Sequence, residues 1–322
     1  MDGARCWKFT RQCWLGEIRL RWASAFFRWM GFVAVCLVVT IHLPYGEGSV
    51  LESVLKQGVA RAAVPWFFFA SGFWLVGRTG KTTGLKTMWL PRVRTLLVPF
   101  FVTNVLWFVW AWAFNRVGVA YFNATPVFEW TLPCVVRGFG LDPTVWPALV
   151  PTWYIRTLFL FVPLGWLLAR LLAFGRETGA WALVARSALL VMLLSGCWMA
   201  GRMPQGTIRA LIDHTLPAWG LAYMGGGLLV RRWCAVDGMA SAKPAGWRAV
   251  LTRNTLAIYL LHVPIMLTAS YVLRPLGLWG WTGTDWGCAL LVPALVGLSI
   301  AAAELLRRRC PAFAGLLFGG RS

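Results

Sequence analysis

Three histidines occur in the 322-residue chain, and two of them fall inside apolar runs, His42 near the end of one and His262 within another. His42 follows Arg28-Trp29-Met30-Gly31-Phe32-Val33-Ala34-Val35-Cys36-Leu37-Val38-Val39-Thr40-Ile41, and His262 follows Asn254-Thr255-Leu256-Ala257-Ile258-Tyr259-Leu260-Leu261. An ionisable side chain in hydrocarbon is costly to keep there, so each is a functional candidate. Neutral imidazole takes a proton from a hydroxyl near neutral pH, the step that acyl transfer or a proton relay requires. The competing reading is a histidine hydrogen-bonded between helices for packing. His214, beside Asp213 where a helix should begin, reads as an interfacial polar residue.

Arginines supply the second set of candidates. Fourteen residues separate Arg28 from His42, about 21 Å of helix rise, and leave both on nearly the same face. The two cannot touch, but one can hold a cytoplasmic anion while the other works near the opposite membrane face. Arg92 and Arg94 place two guanidiniums ahead of Pro99, at the inner mouth of an apolar run. The planar fork of arginine suits phosphate, and a snorkelling anchor is the alternative. The eight cysteines are scattered without a C-x-x-C pair or a metal-ligand cluster, so neither a metal site nor a disulfide framework is expected.

The elements that must position these residues follow from composition. With 59% hydrophobic and 13% charged residues, the chain is too apolar for a water-soluble fold and reads as an all-α, polytopic membrane helical bundle. Runs long enough to cross about 30 Å of hydrocarbon lie near 26–45, 58–77, 95–114, 152–173, 180–200, 214–230, 254–273 and 286–306, which predicts about eight membrane helices. A net charge of +20 would raise nucleic acid as a partner in a soluble protein. Here the basic residues instead favour one set of loops about threefold, which favours cytoplasmic termini and reads the charge as a topology signal, with no nucleic-acid partner expected. The 22 tryptophans gather near the ends of these runs, as interfacial belts do. The expected organisation is a basic, aromatic cytoplasmic segment at 1–25, a membrane domain at 26–306 and a cytoplasmic tail at 307–322. No small-residue cleavage site follows Leu43, so the first run is expected to be retained. The outer stretch 115–151 lacks a clean helical period and reads as a lid, a re-entrant segment or two further short helices.

Taken together, these segments resemble the acyltransferase-3 family of integral membrane enzymes that O-acylate surface glycans and lipids. Val38-Val39-Thr40-Ile41-His42 is similar to the family's apolar run closed by its key histidine. Arg61-Ala62-Ala63-Val64-Pro65-Trp66-Phe67-Phe68-Phe69-Ala70-Ser71-Gly72-Phe73 resembles its R-x-x-x-P-x-F-F-x-x-S-G-F stretch and is the most specific of the matches. Arg92 and Arg94 ahead of Pro99, Ile258-Tyr259-Leu260-Leu261-His262, and Trp153-Tyr154-Ile155-Arg156, similar to a W-Y-x-x segment opening a middle helix, complete the likeness. The family commonly has ten membrane helices, so two more would lie within 115–151 or the chain is a shorter variant.

The resemblance implies a cytoplasmic acyl-CoA, with acetyl-CoA as the expected donor substrate and no permanently bound cofactor. It makes His42 the leading catalytic residue, as base or acyl carrier, and assigns Arg92, Arg94 and Arg28 to the acyl-CoA. Arg61, Ser71, Trp153, Tyr154, Arg156, Tyr259 and His262 are then expected to line the channel or meet the acceptor, a glycan or lipid-linked sugar. Membrane lipids are the other expected partners, and the bacterial inner membrane is the expected location. The alternative function is a transporter or export accessory in which His42 and His262 relay protons.

Overall fold

The computed structural model describes residues 23–46, 48–75, 84–116, 136, 139, 142, 146–173, 215–233 and 245–320, and every regular element among them is helical. In hydrocarbon a segment must satisfy its own backbone hydrogen bonds, and a run of apolar residues can do so only as a helix or within a closed barrel. Helix α1 spans Ala23–Ile41. It is followed by α2 (Ala63–Leu75), α3 (Leu85–Arg92), α4 (Val98–Arg116), α5 (Trp153–Ala173), α6 (Ala218–Trp233), α7 (Gly246–Arg253), α8 (Thr255–Leu273), α9 (Asp285–Arg309) and α10 (Pro311–Leu317). Five stretches are long and apolar enough to cross a membrane: Ala23–Ile41, Leu85–Ala113, Val150–Arg170, Thr255–Leu273 and Asp285–Arg309. The chain is thus an all-α membrane bundle. The run expected at 180–200 and most of 115–151 lie outside the described residues, as do Asp213 and His214.

Lipid-facing and core-facing sides separate cleanly on α9. Trp286, Leu290, Leu298 and Leu305 are exposed, while Cys288, Leu295, Ser299 and Ala303 are buried. An apolar stripe of that extent would be a liability in water, whereas acyl chains solvate it. Three-residue and four-residue spacing puts each set on its own face of the helix.

Helices α2 and α6 pack intimately. They meet backbone to backbone. A Cβ on Gly72 would sit 1.9 Å from the Met224 carbonyl oxygen, and one on Gly227 would sit 2.0 Å from that of Phe69. Small residues let helices approach in this way where burial of apolar surface supplies little drive between them.

Helices α3 and α4 form one rod interrupted at Val93–Leu97, where the turn is wound as a π-helix and the Val98 N–H reaches the Val93 carbonyl. Prolines bracket this turn. Pro91 and Pro99 have no N–H to give, so the ladder around them is already broken and an extra residue is accommodated at low cost. Arg92 and Arg94 fall on different sides of the rod, as residues two apart do on a helix.

Candidate active site

At the C-terminal end of α1 the chain leaves the helix in a turn, with the His42 N–H on the Val39 carbonyl at 3.1 Å. Two contacts then fasten the following loop to the segment ahead of α9. The Gly46 N–H donates to the Gly283 carbonyl at 2.8 Å, and the Ser49 hydroxyl donates to Asp285 Oδ1 at 2.5 Å. That segment is itself fixed, since the Thr284 hydroxyl caps α9 by accepting from the Gly287 N–H at 3.1 Å. A Cβ on Gly287 would lie 2.1 Å from the Trp281 carbonyl oxygen, so only glycine permits the approach. Beside this clasp, burial, then the Cys288 thiol and the Asp285 and Glu52 carboxylates push the Tyr45 phenol up to about 12. Its ring also carries the Lys56 ammonium at 5.4 Å.

The clasp holds His42 against α8. Its ring lies 5.2 Å from that of His262, centroid to centroid, with the planes at 47°. His262 is buried at 1% exposure. Residues placed 220 positions apart by the sequence are therefore neighbours in space.

From this pair a line of polar side chains runs inward. The Tyr259 ring is 6.4 Å from His262, and its hydroxyl donates to the Pro151 carbonyl. Tyr154 lies 6.1 Å from Tyr259, and its hydroxyl is 3.3 Å from that of Ser71. Ser71 and Arg92 in turn line one cavity of about 210 Å³, with Phe67, Trp74 and Leu158 among its apolar walls. Six of the residues selected from sequence, His42, His262, Tyr259, Tyr154, Ser71 and Arg92, thus form one path of neighbouring side chains, with a cavity at its Arg92 end.

The remaining candidates stand apart from it. Arg61 lines a separate crevice of about 570 Å³ between α1 and α2, walled by Met30, Leu37, Pro65 and Phe69, and donates to the Gln57 side chain at 3.0 Å. Arg28 donates to the Ser24 hydroxyl at 2.7 Å, one turn back on its own helix. Arg94 is exposed and lies over Gly320, where a Cβ would stand 3.6 Å from its Nε. Arg156 is buried and reaches the Asp142 carbonyl at 3.4 Å. Trp153 packs edge-on against Trp146 at 5.4 Å and touches the path only at Tyr154, ring to ring at 6.4 Å. Among the described residues no cluster of histidine, cysteine and carboxylate side chains is arranged to hold a metal ion.

One residue that positions the path was not reached from the sequence. Asn104 is fully buried in α4. Its side-chain nitrogen donates to the Phe100 carbonyl and the Thr152 hydroxyl at 2.8 and 3.1 Å. Its oxygen accepts the Leu149 N–H at 3.2 Å. These bonds hold the start of α5, where Pro151 receives Tyr259 and Tyr154 projects. The available signal was an amide inside an apolar run, which hydrocarbon penalises as it does a charge.

A family model described as an acyltransferase domain matches residues 25–234, about two thirds of the chain. No curated protein and no solved structure matches it. The matched segment contains His42, Ser71, Arg92 and Tyr154, whereas Tyr259 and His262 lie beyond it.

Proposed function

The chain belongs to the acyltransferase-3 family and is a multi-pass membrane acyltransferase, and from that premise we propose that it moves an acyl group, acetyl, from cytoplasmic acyl-CoA to a hydroxyl of a surface glycan or lipid-linked sugar. The observation that carries this reading is the path from the Arg92 cavity through Ser71, Tyr154 and Tyr259 to the histidine pair. Arg92, at the inner mouth, has the charge and planar donors to take a phosphate of the donor. The thioester then points along the path toward His42.

At the outer end His42 acts as general base. Its ring nitrogen takes the proton of the acceptor hydroxyl, the oxygen attacks the thioester carbonyl carbon, and the carbon–sulfur bond breaks. The proton on His42 passes to the departing thiolate. The crevice at Arg61 supports a lipid-linked acceptor, because it offers apolar walls for a chain and a cation for a phosphate. In the same reading the protein sits in the bacterial inner membrane with both termini cytoplasmic, as its basic residues favour.

Purified protein incubated with labelled acetyl-CoA and lipid-linked or free glycan should move label onto the acceptor, and His42→Ala should abolish transfer while inserting normally. Transfer at the wild-type rate in His42→Ala removes the catalytic assignment. Label that stays on CoA while glycan crosses a vesicle wall favours transport instead.

A further inference from the structure

The second histidine carries information about its own proton. His262 Nδ1 lies 3.0 Å from the Ile258 carbonyl oxygen, one turn back on α8. A carbonyl oxygen only accepts, so in the neutral ring the hydrogen is on Nδ1 and Nε2 presents a bare lone pair. That Nε2 is buried and has no hydrogen-bond partner among the described residues. Buried acceptors are ordinarily paired, so this one points to a donor that arrives in the working site.

Two neighbours have polar hydrogens to offer. The Tyr259 hydroxyl is committed to the Pro151 carbonyl, which leaves the ring of His42 at 5.2 Å between centroids. At that separation a modest turn of the His42 ring brings one of its nitrogens to the ordinary donor–acceptor distance of about 2.9–3.0 Å. We propose that His262 Nε2 accepts the ring N–H of His42 and so makes His262 a positioning residue, fixing the tautomer of His42 and turning its other nitrogen toward the acceptor hydroxyl. This rests on the reading of His42 as the base.

The arrangement follows the general logic of an activated base, in which a third group orients the imidazole, here with a neutral histidine in place of a carboxylate. No proton leaves His262 at any stage. His42 gains the hydroxyl proton on its free nitrogen, becomes a cation, and keeps its other N–H directed at His262, whose lone pair faces the new charge. Burial of the His262 ring keeps competing water from taking that hydrogen bond.

Two amide variants separate this role from simple packing. In His262→Gln the side-chain oxygen reaches approximately where Nε2 stands, whereas in His262→Asn it stops near Nδ1 and cannot meet His42. The measurement is kcat and KM for acetyl-CoA in detergent, with melting temperature recorded for each variant. Asn should lower kcat by roughly 30-fold or more with KM little changed, inside the ~10²–10⁴-fold that general-base catalysis supplies. Gln should keep kcat within about fivefold of wild type, since it restores the acceptor. Equal rates for Gln and Asn, or a wild-type kcat in His262→Phe, overturn the proposal. If the Asn and Phe variants fail to fold, Gln decides alone, because a loss as large as that of His42→Ala overturns it equally. His42→Ala keeps the two levels distinct: activity there sinks the catalytic reading beneath, whereas an inactive His42→Ala beside a fully active His262→Asn sinks only the positioning role.

Discussion

Arg92 and Arg94 have the same chemistry and stand two positions apart, yet the structure gives them different surroundings. Arg92 faces the cavity that Ser71 also lines, while Arg94 is exposed beside the backbone of Gly320. A charged hydrogen bond contributes about 1.5–3 kcal/mol, so Arg92→Ala should weaken acyl-CoA binding about tenfold or more in a detergent titration. Arg94→Ala should change affinity less than about threefold, the range of a screened surface charge. Equal losses would return both to the role of cytoplasmic anchors. Tyr259→Phe tests the next step inward. Removing the phenol leaves the buried Pro151 carbonyl without its donor, at a cost of about 1–3 kcal/mol, and should lower the melting temperature without altering the acceptor's KM.

Among the helices, the α2–α6 contact and the Asn104 clamp are the features to challenge. Gly72→Leu forces a side chain into the Met224 backbone, so it should prevent stable folding, seen as loss of a monodisperse peak in size-exclusion chromatography. Asn104→Leu leaves the Leu149 N–H and the Thr152 hydroxyl without their side-chain partner. It should destabilise the bundle by about 1–3 kcal/mol and lower activity as well, because the start of α5 carries Tyr154. Helices α1, α5, α8 and α9 were legible in the sequence within a few residues, since a long apolar run has one regular solution in a bilayer. The π-turn at Val93–Leu97 was not, because its winding follows from two flanking prolines rather than from hydropathy. His42 and Tyr259 could be chosen from residue type and family likeness. That His42 meets His262 could not, since no local pattern encodes a contact across 220 positions.

Across the whole molecule, orientation is the property on which donor and acceptor chemistry both depend. Cys310 is free and exposed at the end of α9, and the run Arg307-Arg308-Arg309 before it is part of the charge bias on which the proposed cytoplasmic placement of that end rests. In a variant keeping only this cysteine, a membrane-impermeant maleimide should react in inverted vesicles and not in intact cells. Labelling from the outside would put the Arg92 mouth away from the cytoplasmic acyl-CoA. At the same end, Glu304 joins Arg253 at 2.7 Å and Arg307 at 3.0 Å, with Asn254 accepting from Arg307 at 2.6 Å. This network ties α8 to α9 at the opposite pole from the Ser49–Asp285 clasp.

The clasp joins the first helix of the chain to its last long one, and the imidazole partner of His42 comes from the helix between. A polypeptide that stopped at residue 234 would retain the whole of the matched family segment and lack both the companion ring and the latch that holds the loop over it. The extent of the family segment and the extent of the packed surroundings of His42 are therefore separate properties in this chain, and the segment after residue 234 supplies the second of them.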